Sequence, residues 1–193
     1  MFLENTINHA KQSGWMEVIC GSMFSGKTEE LIRRLRRAEM AGQHVEIFKP
    51  KIDTRYSDED IVSHNENKIR STAVSSPDEI LLLSTGCDVV GIDEAQFFDE
   101  RIVSIANQLA NSGIRVVIAG LDMDFMGRPF GPMPNLMATA EYVTKVHAIC
   151  KRTGNLANYS LRTSSNKELV QLGETDHYEA VSRKIFWEEI NKK

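Results

Sequence analysis

The chain has 193 residues, a formal net charge of −4, 41% apolar and 26% charged residues. That length allows one well-buried core and a small appendage, in the composition range of ordinary globular proteins. The mild acidity excludes the broad positive footprint that nucleic acid or an anionic membrane would require, so neither is expected as a partner.

Met1 to Gly14 is polar and unpatterned and reads as a loosely attached arm, with Trp15 starting the ordered part. Glu17-Val18-Ile19-Cys20 reads as a short buried strand. It runs into Gly21-Ser22-Met23-Phe24-Ser25-Gly26-Lys27-Thr28, which matches the phosphate-cradling pattern G-x-x-x-x-G-K-[ST]. A helix from Thr28 to about Met40 follows, with Leu31, Ile32, Leu35 and Ala38 facing inward and Gly42 closing it. Strand, loop and helix in that order are what the pattern needs. Small residues let backbone N–H groups point at phosphate oxygens, and the helix N-terminus adds partial positive charge. Lys27 would reach the outer phosphates and the Thr28 hydroxyl would take a position on magnesium. The basic run Arg33-Arg34-Leu35-Arg36-Arg37 is read as the solvated face of this helix.

His44 to Lys49 is a second strand, stopped by Pro50, and Lys51 to Asn67 is charged and irregular. Ser76-Pro77-Asp78-Glu79 opens a short helix. Asp88 to Asp93 is a third strand, and Asp99 caps a helix running through Ser112 to Gly113. Arg115 to Leu121 is a fourth strand and Tyr142 to Cys150 a fifth. Apolar strands alternating with helices imply a parallel sheet covered on both faces, with ligand at the carboxyl ends of the strands. The tail from Lys151 breaks the alternation and reads as a smaller unit. Three divisions follow: an arm over 1–14, a phosphate-loop domain over 15–149, and a small unit over 150–193.

Asp93-Glu94-Ala95-Gln96 ends an apolar strand, as the acidic motif of phosphate-loop enzymes does. Asp93 is placed to hold magnesium, directly or through water. Glu94 points the other way along the strand and could take a proton. Leu121 to Pro132 is a Gly/Pro-rich loop carrying apolar and aromatic groups, either a pocket wall or a core plug. A planar substrate ring would suit Phe97, Phe125 and Phe130. Other patterns fail. Asp88-Val89-Val90-Gly91 matches the D-x-x-G of GTPases but lies at the start of its strand, and no N-K-x-D exists to read guanine. His64-Asn65-Glu66 lacks the P-C-x-x-C that would complete a zinc deaminase. Cys20, Cys87 and Cys150 form no C-x-x-C pair and are expected to be buried, inert thiols. With no membrane-length apolar run and no secretion pattern, a cytoplasmic setting is expected.

Taken together the motifs resemble the small, tetrameric thymidine kinases. The resemblance runs from Trp15 to about Trp187. Its blocks are the glycine loop, Asp53-Thr54-Arg55-Tyr56, Ile92 to Phe98, Leu121 to Phe125 with Pro129-Phe130-Gly131, and Tyr178-Glu179-Ala180-Val181. It implies a RecA-like α/β fold with a C-terminal "lasso" subdomain, and transfer of the γ-phosphate of ATP to the 5′-hydroxyl of thymidine. It assigns Glu94 as general base and Thr28 and Asp93 to magnesium. ATP would lie on Gly21, Ser22, Met23, Phe24, Ser25, Gly26, Lys27 and Thr28, together with Asp93, Glu94, Ala95 and Gln96. Met23, Phe97, Leu121, Phe125 and Phe130 would enclose thymine and sugar. Asp53 and Arg55 would approach the phosphates from a mobile loop, and Ser160 and Tyr178 would lie near the base, with the lasso over about Leu169 to Tyr178. A homotetramer and feedback inhibition by dTTP are implied as well. One departure stands out. The family commonly ties the lasso with zinc on two C-x-x-C pairs, whereas Cys150-Lys151-Arg152-Thr153 and Ser182-Arg183-Lys184-Ile185 keep one ligand of four. Thr, Ser and Ile cannot stand in for thiolates in a closed tetrahedral site. No structural zinc is therefore expected, with Ile185, Phe186 and Trp187 as a substitute apolar staple.

Overall fold

The structure is a computed structural model that describes residues 14–51, 60–62, 68–163 and 177–192. The expected N-terminal arm up to residue 13, Asp53, Arg55 and lasso residues 169–176 lie outside the described residues. In chain order the first half holds β1 (Trp15–Cys20), α1 (Lys27–Met40), β2 (Val45–Pro50), β3 (Asp60–Val62), β4 (Lys68–Arg70), β5 (Thr72–Val74), α2 (Pro77–Leu83) and β6 (Val89–Ile92). A single 3-10 turn (Ala95–Phe97) leads to α3 (Arg101–Asn111), β7 (Arg115–Gly120), α4 (Met133–Thr139) and β8 (Tyr142–Lys145). The remainder is β9 (Ala148–Ile149), β10 (Leu156–Ala157), β11 (Tyr159–Arg162), β12 (Tyr178–Val181) and α5 (Arg183–Ile190).

Six strands form one parallel sheet in the order β5-β2-β6-β7-β1-β8. Side chains alternate between its faces, and the core divides accordingly. Val116 and Ile118 of β7 join one apolar cluster with Ile80, Ile102, Ile105, Leu109 and Leu136, whereas Val117 and Ala119 join another with Leu31, Ile32, Leu35 and Ala38. Helix α1 thus covers one face, and α2, α3 and α4 cover the other. Each Val, Leu or Ile among them contributes about 1.5–3 kcal/mol on full burial. Gly91 lets α1 come close, since a Cβ there would lie 2.5 Å from a Leu35 methyl. This is the α/β phosphate-loop architecture the sequence implied.

Four readings need correction. The run Tyr142–Cys150 is two strands: β8 pairs with β1 in the main sheet, while β9 pairs with β10. Strand β5 and helix α4 go beyond the sequence reading, and β3, inside the charged 51–67 segment, pairs antiparallel with β4 just after it. The basic run on α1 is not all solvated. Arg34 is 3% exposed and its guanidinium donates to Glu17 at 2.7 Å and to Glu30 at 2.8 Å. Finally, β6 ends at Ile92, so strand alternation does not direct Glu94.

The small C-terminal unit has its own core, in which Tyr159 stacks on Phe186 with ring centroids 4.4 Å apart. Trp187, 44% exposed, meets both rings edge-on. Among the described residues no helix is long and apolar enough to cross a membrane.

Candidate active site

The glycine loop leaves the carboxyl end of β1 between its sheet neighbours β7 and β8. Its start is crowded: a Cβ on Gly21 would lie 2.2 Å from the Val146 carbonyl oxygen, and Gly21 has φ +146°. The loop turns through left-handed residues at Phe24 and Gly26. Left-handed backbone at the non-glycine Phe24 stores strain, which recurs at functional sites. Ser25 donates its hydroxyl to the Ser22 carbonyl at 2.7 Å, and the buried Lys27 ammonium donates to the same oxygen at 2.9 Å.

Asp93 lies just beyond β6, with its backbone N–H on the Phe48 carbonyl. One of its carboxylate oxygens accepts the Glu94 N–H at 2.9 Å, and the other accepts the Thr28 hydroxyl at 3.3 Å. These are hard oxygen donors side by side, which fits magnesium.

Glu94 is, with Phe24, one of the two non-glycine residues at positive φ among the described residues (φ 52°). That left-handed backbone, rather than strand alternation, sets the course of its half-buried side chain. The side chain is then held in place. Gln96 donates its amide to Glu94 Oε2, while its own Oε1 accepts the Leu121 N–H at 2.9 Å. Gln96 is 2% exposed and so is an internal strut. Ala95 is fully buried in the core. These two expected ATP residues therefore sit behind the acidic pair.

Phe97 and Phe130 meet edge to face at 5.8 Å, and Phe97, Leu121, Phe125 and Phe130 are all half-buried. A core plug would be fully buried, and these four side chains are not. Asp124 stiffens the loop after β7, its Oδ1 accepting the Met126 and Arg128 N–H groups at 2.8 and 2.9 Å. The small unit is tied to the glycine loop. The Met23 N–H donates to Ser160 Oγ at 3.0 Å, and the Ser22 hydroxyl donates to the Ala157 carbonyl at 3.1 Å. Arg162, two residues past Ser160, donates to the Tyr178 hydroxyl at 3.0 Å.

The family model for thymidine kinase matches residues 14–186 of this sequence. The chain belongs to the thymidine kinase family. A thymidine kinase of Bacteroides thetaiotaomicron is 59% identical over 186 residues, covering 96% of this chain and 94% of the relative. Thymidine kinases of Rhodothermus sp. and Porphyromonas gingivalis are each 59% identical, covering 93% and 95% of this chain and 84% and 90% of the relatives.

The zinc common among thymidine kinases can be tested against the donor set here. Cys150, Thr153, Ser182 and Ile185 do come together. The Cys150 thiol is pushed up by burial, but hydrogen bonds from the Thr153 hydroxyl and from the Ser182, Arg152 and Thr153 backbone outweigh this and bring it to about 7. Ser182 offers a buried hydroxyl without a hydrogen-bond partner, and Ile185 packs its alkyl chain against the same core. One thiol, two hydroxyls and an alkyl group do not fit a closed tetrahedral zinc. Cys20 and Cys87 are free as well, and burial, then the Asp122 carboxylate, pushes the Cys20 thiol up to about 11.

The contacts of Gln96 with Leu121 and of Arg162 with Phe125 are not legible in the sequence, because only folding brings those partners together, whereas Asp124 bonds locally to Met126 and Arg128. The one available signal was a polar residue inside an otherwise apolar segment.

Proposed function

We propose that this thymidine kinase family member transfers the γ-phosphate of ATP to the 5′-hydroxyl of thymidine, giving dTMP and ADP. The observation that carries the reading is the Glu94 carboxylate held by Gln96, on the residue that directly follows Asp93, which accepts the Thr28 hydroxyl at the end of the phosphate loop. Phosphoryl transfer asks for positioning and charge neutralisation more than covalent chemistry. The loop amides and Lys27 would hold the phosphate chain, with Lys27 exchanging its Ser22 carbonyl for phosphate oxygens. Thr28 and Asp93 would hold magnesium, which would neutralise phosphate charge when bound. The thymidine 5′-oxygen bonds to the γ-phosphorus as the bond to the ADP oxygen breaks, and its proton passes to Glu94. Met23, Phe97, Leu121, Phe125 and Phe130 would enclose base and sugar, with Ser160 and Tyr178 near the base edge. The family resemblance supports phosphate contacts from Asp53 and Arg55, a homotetramer and inhibition by dTTP. The free thiols suit a reducing cytoplasm.

Purified protein with Mg-ATP and a nucleoside panel tests this: ADP should form with thymidine and cease with chelator. Equal ADP formation without nucleoside would make the protein an ATPase instead. Deoxyuridine should also react, because rejecting a ring for one missing methyl is worth only about 1–3 kcal/mol. The donor set at Cys150 leads us to expect no zinc in the purified protein by elemental analysis, and one zinc per subunit would contradict this.

A further inference from the structure

We propose that Arg162 is a positioning residue for thymidine, acting through Phe125. Arg162 ends β11 directly opposite Tyr178 of β12 and is 3% exposed. Its guanidinium carbon lies 3.7 Å from the Phe125 ring centroid and 5.1 Å from that of Tyr178. Its Nε donates to the Tyr178 hydroxyl at 3.0 Å, which fixes the plane of the fork. A planar cation packed on one ring face and tethered at its edge limits how that ring can turn. Phe125 remains half-buried, so its side chain is not a core plug.

Location gives this contact its consequence. Residues two apart on a strand share a face, so Arg162 and Ser160 project together from β11. Ser160 accepts the Met23 N–H and so fastens that face to the phosphate loop. Arg162 fastens the same face to the aromatic loop after β7. One strand therefore sets the spacing between the phosphate cradle and one wall of the nucleoside pocket. Asp124 already rigidifies the loop backbone, leaving the Phe125 side-chain torsions as the remaining freedom. The inference rests on the reading of Phe125 as part of the thymidine pocket.

Steady-state kinetics on Arg162→Met, Arg162→Lys, Phe125→Ala and the Phe125→Ala/Arg162→Met double variant test it. Arg162→Met should raise the KM for thymidine roughly tenfold, leave the KM for ATP unchanged, and lower the preference for thymidine over deoxyuridine. Arg162→Lys keeps charge and length without the planar fork and should fall between, so it also serves if the methionine variant does not fold. In the double variant the thymidine KM should match that of Phe125→Ala alone. A wild-type thymidine KM in both Arg162 variants, with Phe125→Ala impaired, would overturn the proposal while leaving the pocket intact. Equal increases in both KM values would reduce Arg162 to a structural staple and overturn it as well. A wild-type thymidine KM in Phe125→Ala would instead sink the pocket reading on which the proposal stands.

Discussion

Glu94 is held by a buried neighbour, Gln96. Gln96 joins the Glu94 carboxylate to the Leu121 N–H, so the proposed base and the loop after β7 share one buried amide. Hydrogen bonds to a charged group are worth about 1.5–3 kcal/mol. Gln96→Met, of similar length, should therefore lower kcat by roughly 10- to 100-fold with little change in the KM for ATP. Steady-state assays at saturating thymidine check this, and an unchanged kcat would remove Gln96 from the positioning role. The glycine loop and Asp93-Glu94 could be read from sequence because each motif is local and its chemistry fixes its residue types. Gln96 and Arg162 could not, since their partners lie 25 and 37 positions away in Leu121 and Phe125.

At the scale of elements, the strand–loop–helix start and the inner face of α1 were legible because their apolar spacing is regular. Helix α4 was hidden by its own sequence: Gly131-Pro132-Met133-Pro134 carries the chemistry of a turn, yet Pro132 and Pro134 sit at its start, where no helical N–H is missed. Strand β5 is three residues at a sheet edge, too short to show a period. The buried Arg34 could not be told from its exposed neighbours, because its partner is on β1. There Glu17 accepts bonds from Arg34, Arg115 and Trp15. Burial pushes the Glu17 carboxyl up, but the bonds from Arg115 and Trp15 and the charge of Arg34 outweigh it and hold it below its usual value. A carboxylate depressed in the folded state stabilises above its unfolded pKa, about 4.3, and that contribution is lost as pH falls through the lower folded value. Glu17→Gln removes the carboxylate shared by Arg34 and Arg115, leaving Arg34 its bond to Glu30, and should cost about 1.5–3 kcal/mol at neutral pH. The gap to wild type should narrow as the pH falls below about 4.3. Denaturant melts at several pH values measure it, and a constant gap would refute the linkage.

Across the molecule, the six-stranded sheet with its helices carries a second, smaller apolar core built from β9 to β12 and α5, which bonds to the glycine loop through Ala157 and Ser160. Where other thymidine kinases commonly fix that unit with metal, here Phe186 and Tyr159 stack in its core. Phe186→Ala should cost about 3–5 kcal/mol and raise the KM for thymidine more than that for ATP, because the docked strand β11 carries Ser160 and Arg162. Thermal melts and kinetics check both, and a stable variant with unchanged kinetics would refute the staple. The account turns on Glu94 as the base for the thymidine hydroxyl. Its most direct test is thymidine binding and single-turnover phosphorylation by Glu94→Gln. We expect thymidine affinity close to wild type with the chemical step slowed by about 10²–10⁴; phosphorylation at the wild-type rate would contradict the account.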